Sequence, residues 1–72
     1  MRMQLTVWRL QGPVGIMMRG VLVRGEDNSW ELRVEKGDRV IHAEQHVNLD
    51  IALLRAKTMW VECERYGWRD VM

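Results

Sequence analysis

The apolar residues of this chain change their spacing near residue 48, and that switch bounds the fold more tightly than any other feature. Ahead of it they fall on alternate positions in short runs separated by turn residues; from Leu49 onward they recur every three or four positions. Period two marks a half-buried strand and period 3.6 an amphipathic helix. Strands first and a helix last is the order of an α+β domain. The 72 residues hold one such domain. A domain of this size hides only ~60 % of its unfolded surface, so the helix is expected to lie across one face of the sheet.

The clearest strand runs from Trp30 to Glu35, with Trp30, Leu32 and Val34 on one side and Glu31, Arg33 and Glu35 on the other. Lys36-Gly37-Asp38 is a tight turn, after which the chain returns as a strand over about 39–44. Ile16 to Arg24 is the most apolar run and reads as an inner strand; the Gly25–Ser29 segment is a loop. A first strand over about 3–10 is broken by Pro13 and its flanking glycines. Short connections make these strands (about 3–10, 16–24, 30–35 and 39–44) a four-stranded antiparallel meander. In a simple hairpin register Met18, Gly20 and Leu22 share the side of Trp30. Met17, Arg19, Val21 and Val23 then face the other way, where Arg19 opposes Glu35. The first strand admits two registers, one placing Leu5, Val7 and Arg9 on that outer side and the other Thr6, Trp8 and Leu10.

The helix is predicted over about 49–66. Asn48 is a suitable N-cap, Asp50 complements the positive first turn, and Val47 is placed to staple against Ala52. Leu49, Ala52, Leu53, Ala56, Met59, Trp60 and Cys63 fall in one arc and form the core stripe. Gly67 is placed to end the helix in a left-handed conformation, folding Trp68 back on Cys63. Trp68 to Met72 is either a short strand or a tail.

Composition excludes several classes. Apolar residues at 47 % and charged residues at 29 % are globular proportions. One cysteine makes no internal disulfide, and no apolar run approaches the ~18 residues of a membrane span. Met1-Arg2-Met3-Gln4 alternates in character and is unlike a signal peptide, so the chain is expected to be a complete soluble cytoplasmic protein without membrane attachment. The first 24 residues carry four arginines and no acid, a basic end that can steer a partner. No catalytic constellation stands out. Ser29 lies in a loop beside acids, and Gly12-Pro13-Val14-Gly15 lacks the Lys of a phosphate loop. Glu62 and Glu64 point in different directions on the helix. His42 and His46 are four apart in a strand leaving for a helix cap and need not share a face; with Cys63 they would make a metal set that nothing else reinforces. No enzyme, metal or cofactor is expected.

Two surfaces stand out instead. Ile51, Leu54, Thr58 and Val61 follow spacings of three, four and three opposite the core stripe, with Arg65 beyond them. This line is a candidate dimer seam or second interface. On the outer sheet face Val21 and Val23 form an apolar strip edged by Arg9, Arg19 and Arg33, a candidate partner-binding surface. Of the four tryptophans, Trp30 and Trp60 have core positions, whereas Trp8 and Trp68 are open between core and binding anchor.

Arg19-Gly20-Val21, Trp30 eleven residues after Arg19, Gly37, and a helix with Ala52 and Ala56 resemble the APETALA-type and integrase-arm DNA-binding domains. The resemblance covers about residues 18–60 and implies a three-stranded sheet in the major groove with Arg19, Arg24, Trp30, Arg33 and Arg39 on or near the DNA side. Val21 and Val23 depart from that pattern, as do Glu31, Glu35 and Asp38, which would face phosphates. In its small size, single sheet and single helix the chain also resembles the accessory proteins of phages and mobile elements, anti-CRISPR inhibitors among them, which act by occupying a surface of a host machine. The expectation is a non-enzymatic interaction module, such as a phage-type inhibitor or adaptor docking on a host protein or nucleoprotein complex, with a homodimer through one surface. The alternative is a DNA-binding module using the basic sheet face.

Overall fold

A computed structural model describes residues 3–71. Met1 and Arg2 of the amino-terminal reading, and Met72 of the terminal segment, lie outside the described residues. The elements in order are β1 (Gln4–Gln11), a 3-10 turn (Pro13–Gly15), β2 (Met17–Arg24), β3 (Trp30–Lys36), β4 (Arg39–His46), α1 (Leu49–Arg65) and β5 (Arg69–Asp70). The fold is α+β, one antiparallel sheet with one helix on one face. Among the described residues the sheet has five strands in the order β4-β3-β2-β1-β5, where the sequence predicts four.

The fifth strand follows from the way the helix ends. Gly67 adopts φ 94°, open to glycine at little cost, and reverses the chain. The Trp68 amide donates to the Cys63 carbonyl at 3.2 Å and the Gly67 amide to that of Glu64 at 3.1 Å, the paired bonds of a Schellman ending. Trp68 packs against the core, and the next two residues fall beside β1, pairing Gln11 with Arg69 and Leu10 with Asp70. At the other end the Asn48 side chain caps the helix by accepting from the Ile51 amide at 2.9 Å. The predicted staple does not form: Val47 is 81 % exposed, while Ala52, its expected partner, is buried against the sheet.

Two bulges decide which residues face the helix. In β1 Thr6 opposes Val21 and Trp8 opposes Gly20, so Val7 is an extra residue. The slip resolves the ambiguous register by using both alternatives in turn. Thr6 lies on the outer side before the bulge and Arg9 after it, while Leu5, Trp8 and Leu10 all take the side of the helix. In β4 Ile41 is extra in the same way, between His42 opposite Val34 and Val40 opposite Glu35.

The core consists of Trp8, Leu10, Met18, Leu22, Leu32 and Val34 from the sheet and Ala52 and Ala56 from the helix, edged by Trp30, Leu49, Met59, Trp60, Cys63 and Trp68. Leu53, expected in the stripe, is exposed: it sits at the flank of the arc, about 60° from Ala56 on the helical wheel, beyond the sheet's reach. Trp8 is core rather than a binding anchor. Its indole N–H donates to the Ala56 carbonyl at 3.0 Å, and its ring fills the space above Gly20. A Cβ at Gly20 would stand 2.7 Å from Trp8 Nε1, closer than packing allows. Gly20→Ala is therefore expected to destabilise the fold by roughly 1–3 kcal/mol, as overpacking does, read as a lower urea midpoint at unchanged slope; an unchanged midpoint would show that the ring moves aside freely.

Candidate interaction surfaces

On the sheet face away from the helix, the cross-strand rows place Thr6, Val21, Arg33 and Ala43 together, and Gln4, Val23, Glu31 and Gln45 beside them. Val21 and Val23 do face this side, but they are 0 % and 4 % exposed. The partner-binding contact area expected of these two valines is therefore closed within the monomer. β2 is the central strand, flanked on both sides by longer side chains, and the Arg33 guanidinium is bonded to the Glu31 carboxylate across the positions opposite the two valines. Long charged side chains cover apolar surface with their stems while keeping their heads in water. Arg19 pairs with Glu35 in the predicted cross-strand position, Nε to Oε1 at 2.5 Å. The arginines of this face are thus partly neutralised by acids of the same face. Arg9 lies opposite Arg19 and is exposed, beside a shallow depression lined by Met17, Glu35 and Asp38.

The helix back is different. Ile51, Leu54 and Val61 are 47 %, 67 % and 41 % exposed, and the structure packs none of them into the core. Arg65, also exposed, continues the line. Thr58 completes it with its hydroxyl donated to the Leu54 carbonyl at 3.1 Å, so its polar group is satisfied within the helix. Charged residues flank the line: Asp50 and Lys57 on one side, Arg55 and Glu62 on the other. A further apolar exposure lies on the outermost strand β4, where Val40 and Ile41 are each about half exposed beside a sheet edge that has no neighbouring strand among the described residues.

Sequence reasoning missed one cluster. His42, Glu44 and His46 lie on the same, helix-facing side of β4, opposite Val34, Leu32 and Trp30. This corrects the expectation that the two histidines need not share a face; β4 runs to His46 rather than ending near 44, so period two brings both to one side with Glu44 between them. His42 Nε2 donates to Glu44 Oε1 at 2.7 Å and His46 Nε2 to Oε2 at 2.5 Å; an ionised carboxylate only accepts, so each of these nitrogens carries a proton. Arg55 reaches across from the helix, its Nε 3.1 Å from Oε2. Partial burial alone would raise the Glu44 pKa, but the hydrogen bonds from His42, His46 and Arg55 and the Arg55 charge outweigh it and bring it down to about 2. The alternation His-x-Glu-x-His was the available signal.

Among the described residues no group of three or more His, Cys, Asp or Glu side chains is arranged to hold a metal ion. Burial, with help from the charge of Glu62, pushes the Cys63 thiol up, away from the reactive thiolate. The Ser29 hydroxyl is engaged with Asp27 in its loop, at 2.6 Å. No helix among the described residues is long and apolar enough to cross a membrane. No protein-family model, curated protein or solved structure matches the chain.

The Glu44 cluster ties β4 to α1, and its contribution depends on pH with a definite sign. The folded-state pKa lies below the ordinary 4.5, so the stabilisation is present above about pH 4.5 and is lost as pH falls toward about 2. With the Glu44 side chain 20 % exposed, solvent screening limits it to on the order of 1–2 kcal/mol. Glu44→Gln is expected to lower stability at neutral pH and to lose less than the unsubstituted protein between pH 4.5 and 2. Parallel urea curves at both pH values check this.

Proposed function

We propose that this protein is a non-enzymatic protein-interaction module, one that acts as an inhibitor or adaptor by docking on a host protein or nucleoprotein complex. The observation that carries this reading is the apolar line on the helix back. A helix packed on one sheet needs one apolar stripe, and α1 already has it in Ala52, Ala56 and their neighbours. Ile51, Leu54 and Val61 are surplus to folding, and exposing them costs solubility unless another macromolecule covers them. Val40 and Ile41 on the β4 edge supply a second, separate contact area, so self-association and docking need not compete. Arg9 and Arg65, both exposed, set orientation by charge, whereas Arg33 is held by Glu31.

A protein partner is favoured over DNA by the pairing on the sheet face. Nucleic-acid affinity comes chiefly from cations neutralising phosphates, and Arg19 and Arg33 are each held by a carboxylate of the same face. Glu31 and Glu35 would stand against the phosphates of any duplex laid there.

The test is capture of the partner from a nuclease-treated lysate across a salt series, with Leu54→Asp, Val40→Asp and the double variant Arg19→Glu/Arg33→Glu alongside. Retention that survives moderate salt and is lost with Leu54→Asp or Val40→Asp, the circular dichroism unchanged, is the expected result. Loss confined to the arginine variant, with a steep decline in salt or after nuclease, would move the reading to DNA. Recovery of the bait alone would overturn it.

A further inference from the structure

We propose that the helix back is covered by a second copy of the same chain, the two α1 helices packing side by side and parallel about a two-fold axis. This rests on the reading of Ile51, Leu54 and Val61 as a contact surface and names its occupant. The first support is the spacing. Positions 51, 54, 58, 61 and 65 alternate steps of three and four, the 3.5-residue average of a two-stranded seam, as the sheet-facing line at 49, 52, 56, 59 and 63 also does. A β-branched Ile51 followed by Leu54 is the order that favours two parallel strands. Thr58, the polar member of the seam, already donates its hydroxyl to the Leu54 carbonyl and so brings no unsatisfied donor to the seam.

The second support is charge complementarity, and it selects the orientation. In a parallel pair the flanking residue before one seam position faces the residue five further along in the partner helix. Asp50 then meets Arg55 of the second copy, whose Nε is held by Glu44 of its own chain so that only its terminal nitrogens face the partner, and Lys57 meets Glu62; the two-fold axis repeats both, so every flanking pair within the line is of opposite sign. In an antiparallel pair that keeps the whole line from Ile51 to Val61 covered, the same flanks bring Lys57 against Lys57, Arg55 against Arg55 and Asp50 against Glu64. Like charges in such positions are disfavoured, so one orientation is supported and the other opposed. Arg65 falls at the last seam position, in the final turn, where its long stem can splay to solvent beside Glu64.

Purified protein alone provides the test, which keeps it separate from the docking reading: a dimer without a captured partner, or a captured partner without a dimer, would tell the two apart. Sedimentation equilibrium is expected to give twice the 8.6 kDa chain mass, falling to the monomer with Leu54→Asp at unchanged circular dichroism. Lys57→Glu and Glu62→Lys are each expected to raise the dimer dissociation constant by roughly tenfold, and the two together to restore it. In a Cys63→Ala background, Val61→Cys is expected to oxidise to a self-linked dimer, since facing positions of a parallel seam stand at disulfide distance. A monomer at all concentrations would overturn the proposal. So would a disulfide formed only between Ile51→Cys and Val61→Cys chains, which marks the antiparallel pair, or failure of the double charge exchange to rescue.

Discussion

The placement of one indole organises this small fold. Trp8 sits where β1, β2 and α1 meet: its ring occupies the volume that a side chain at position 20 would need, and its N–H reaches the Ala56 carbonyl in the middle of the helix. Three features of the sequence are needed at once. Val7 must be an extra residue, so that the bulge turns Trp8 toward the helix; Gly20 must lack a Cβ; and the helix must present Ala52 and Ala56, small enough to let its backbone come close. A large side chain at either alanine would hold the helix away and leave the indole N–H buried without its acceptor, a cost comparable to a lost hydrogen bond.

The far edge of the sheet is held by polar rather than apolar contact. β4 turns His42, Glu44 and His46 toward the helix where an ordinary strand would carry aliphatics, and Arg55 closes the group from above. Glu44 serves as the common acceptor of three donors, which is why its carboxyl stays ionised far below the usual range despite partial burial. Trp8 at one side and Glu44 at the other thus fix the helix across the sheet. With both anchors on the inner side of α1, the opposite side is free of structural duty, and its apolar line is left exposed. The outer sheet face has the reverse character. Its central Val21 and Val23 are enclosed by strands and long side chains of the same subunit, and its charges are largely matched in place.

The strands, the helix, the caps at Asn48 and Gly67 and the pairing of Arg19 with Glu35 were legible in the residues, because each is set by neighbours within a few positions or by a single short hairpin. The exposed line of Ile51, Leu54 and Val61 was legible for the same reason, as helical periodicity fixes which residues oppose the core stripe. The burial of Val21 and Val23 was not. Alternation correctly gave the side they face, but whether that side is open depends on what stands on both neighbouring strands and how far those side chains reach.

The chain's local patterns by themselves therefore determined the order and extent of nearly all its elements and, outside the bulged strands β1 and β4, the face on which most residues would lie. Only the tertiary structure decided the bulges that rotate Trp8 and offset β4, the joining of residues 69–70 to the free edge of β1, and the gathering of His42, Glu44, His46 and Arg55. Secondary structure answers to short-range periodicity and capping, whereas these features arise from contacts between segments distant in sequence, where one slipped residue changes which side chains can meet.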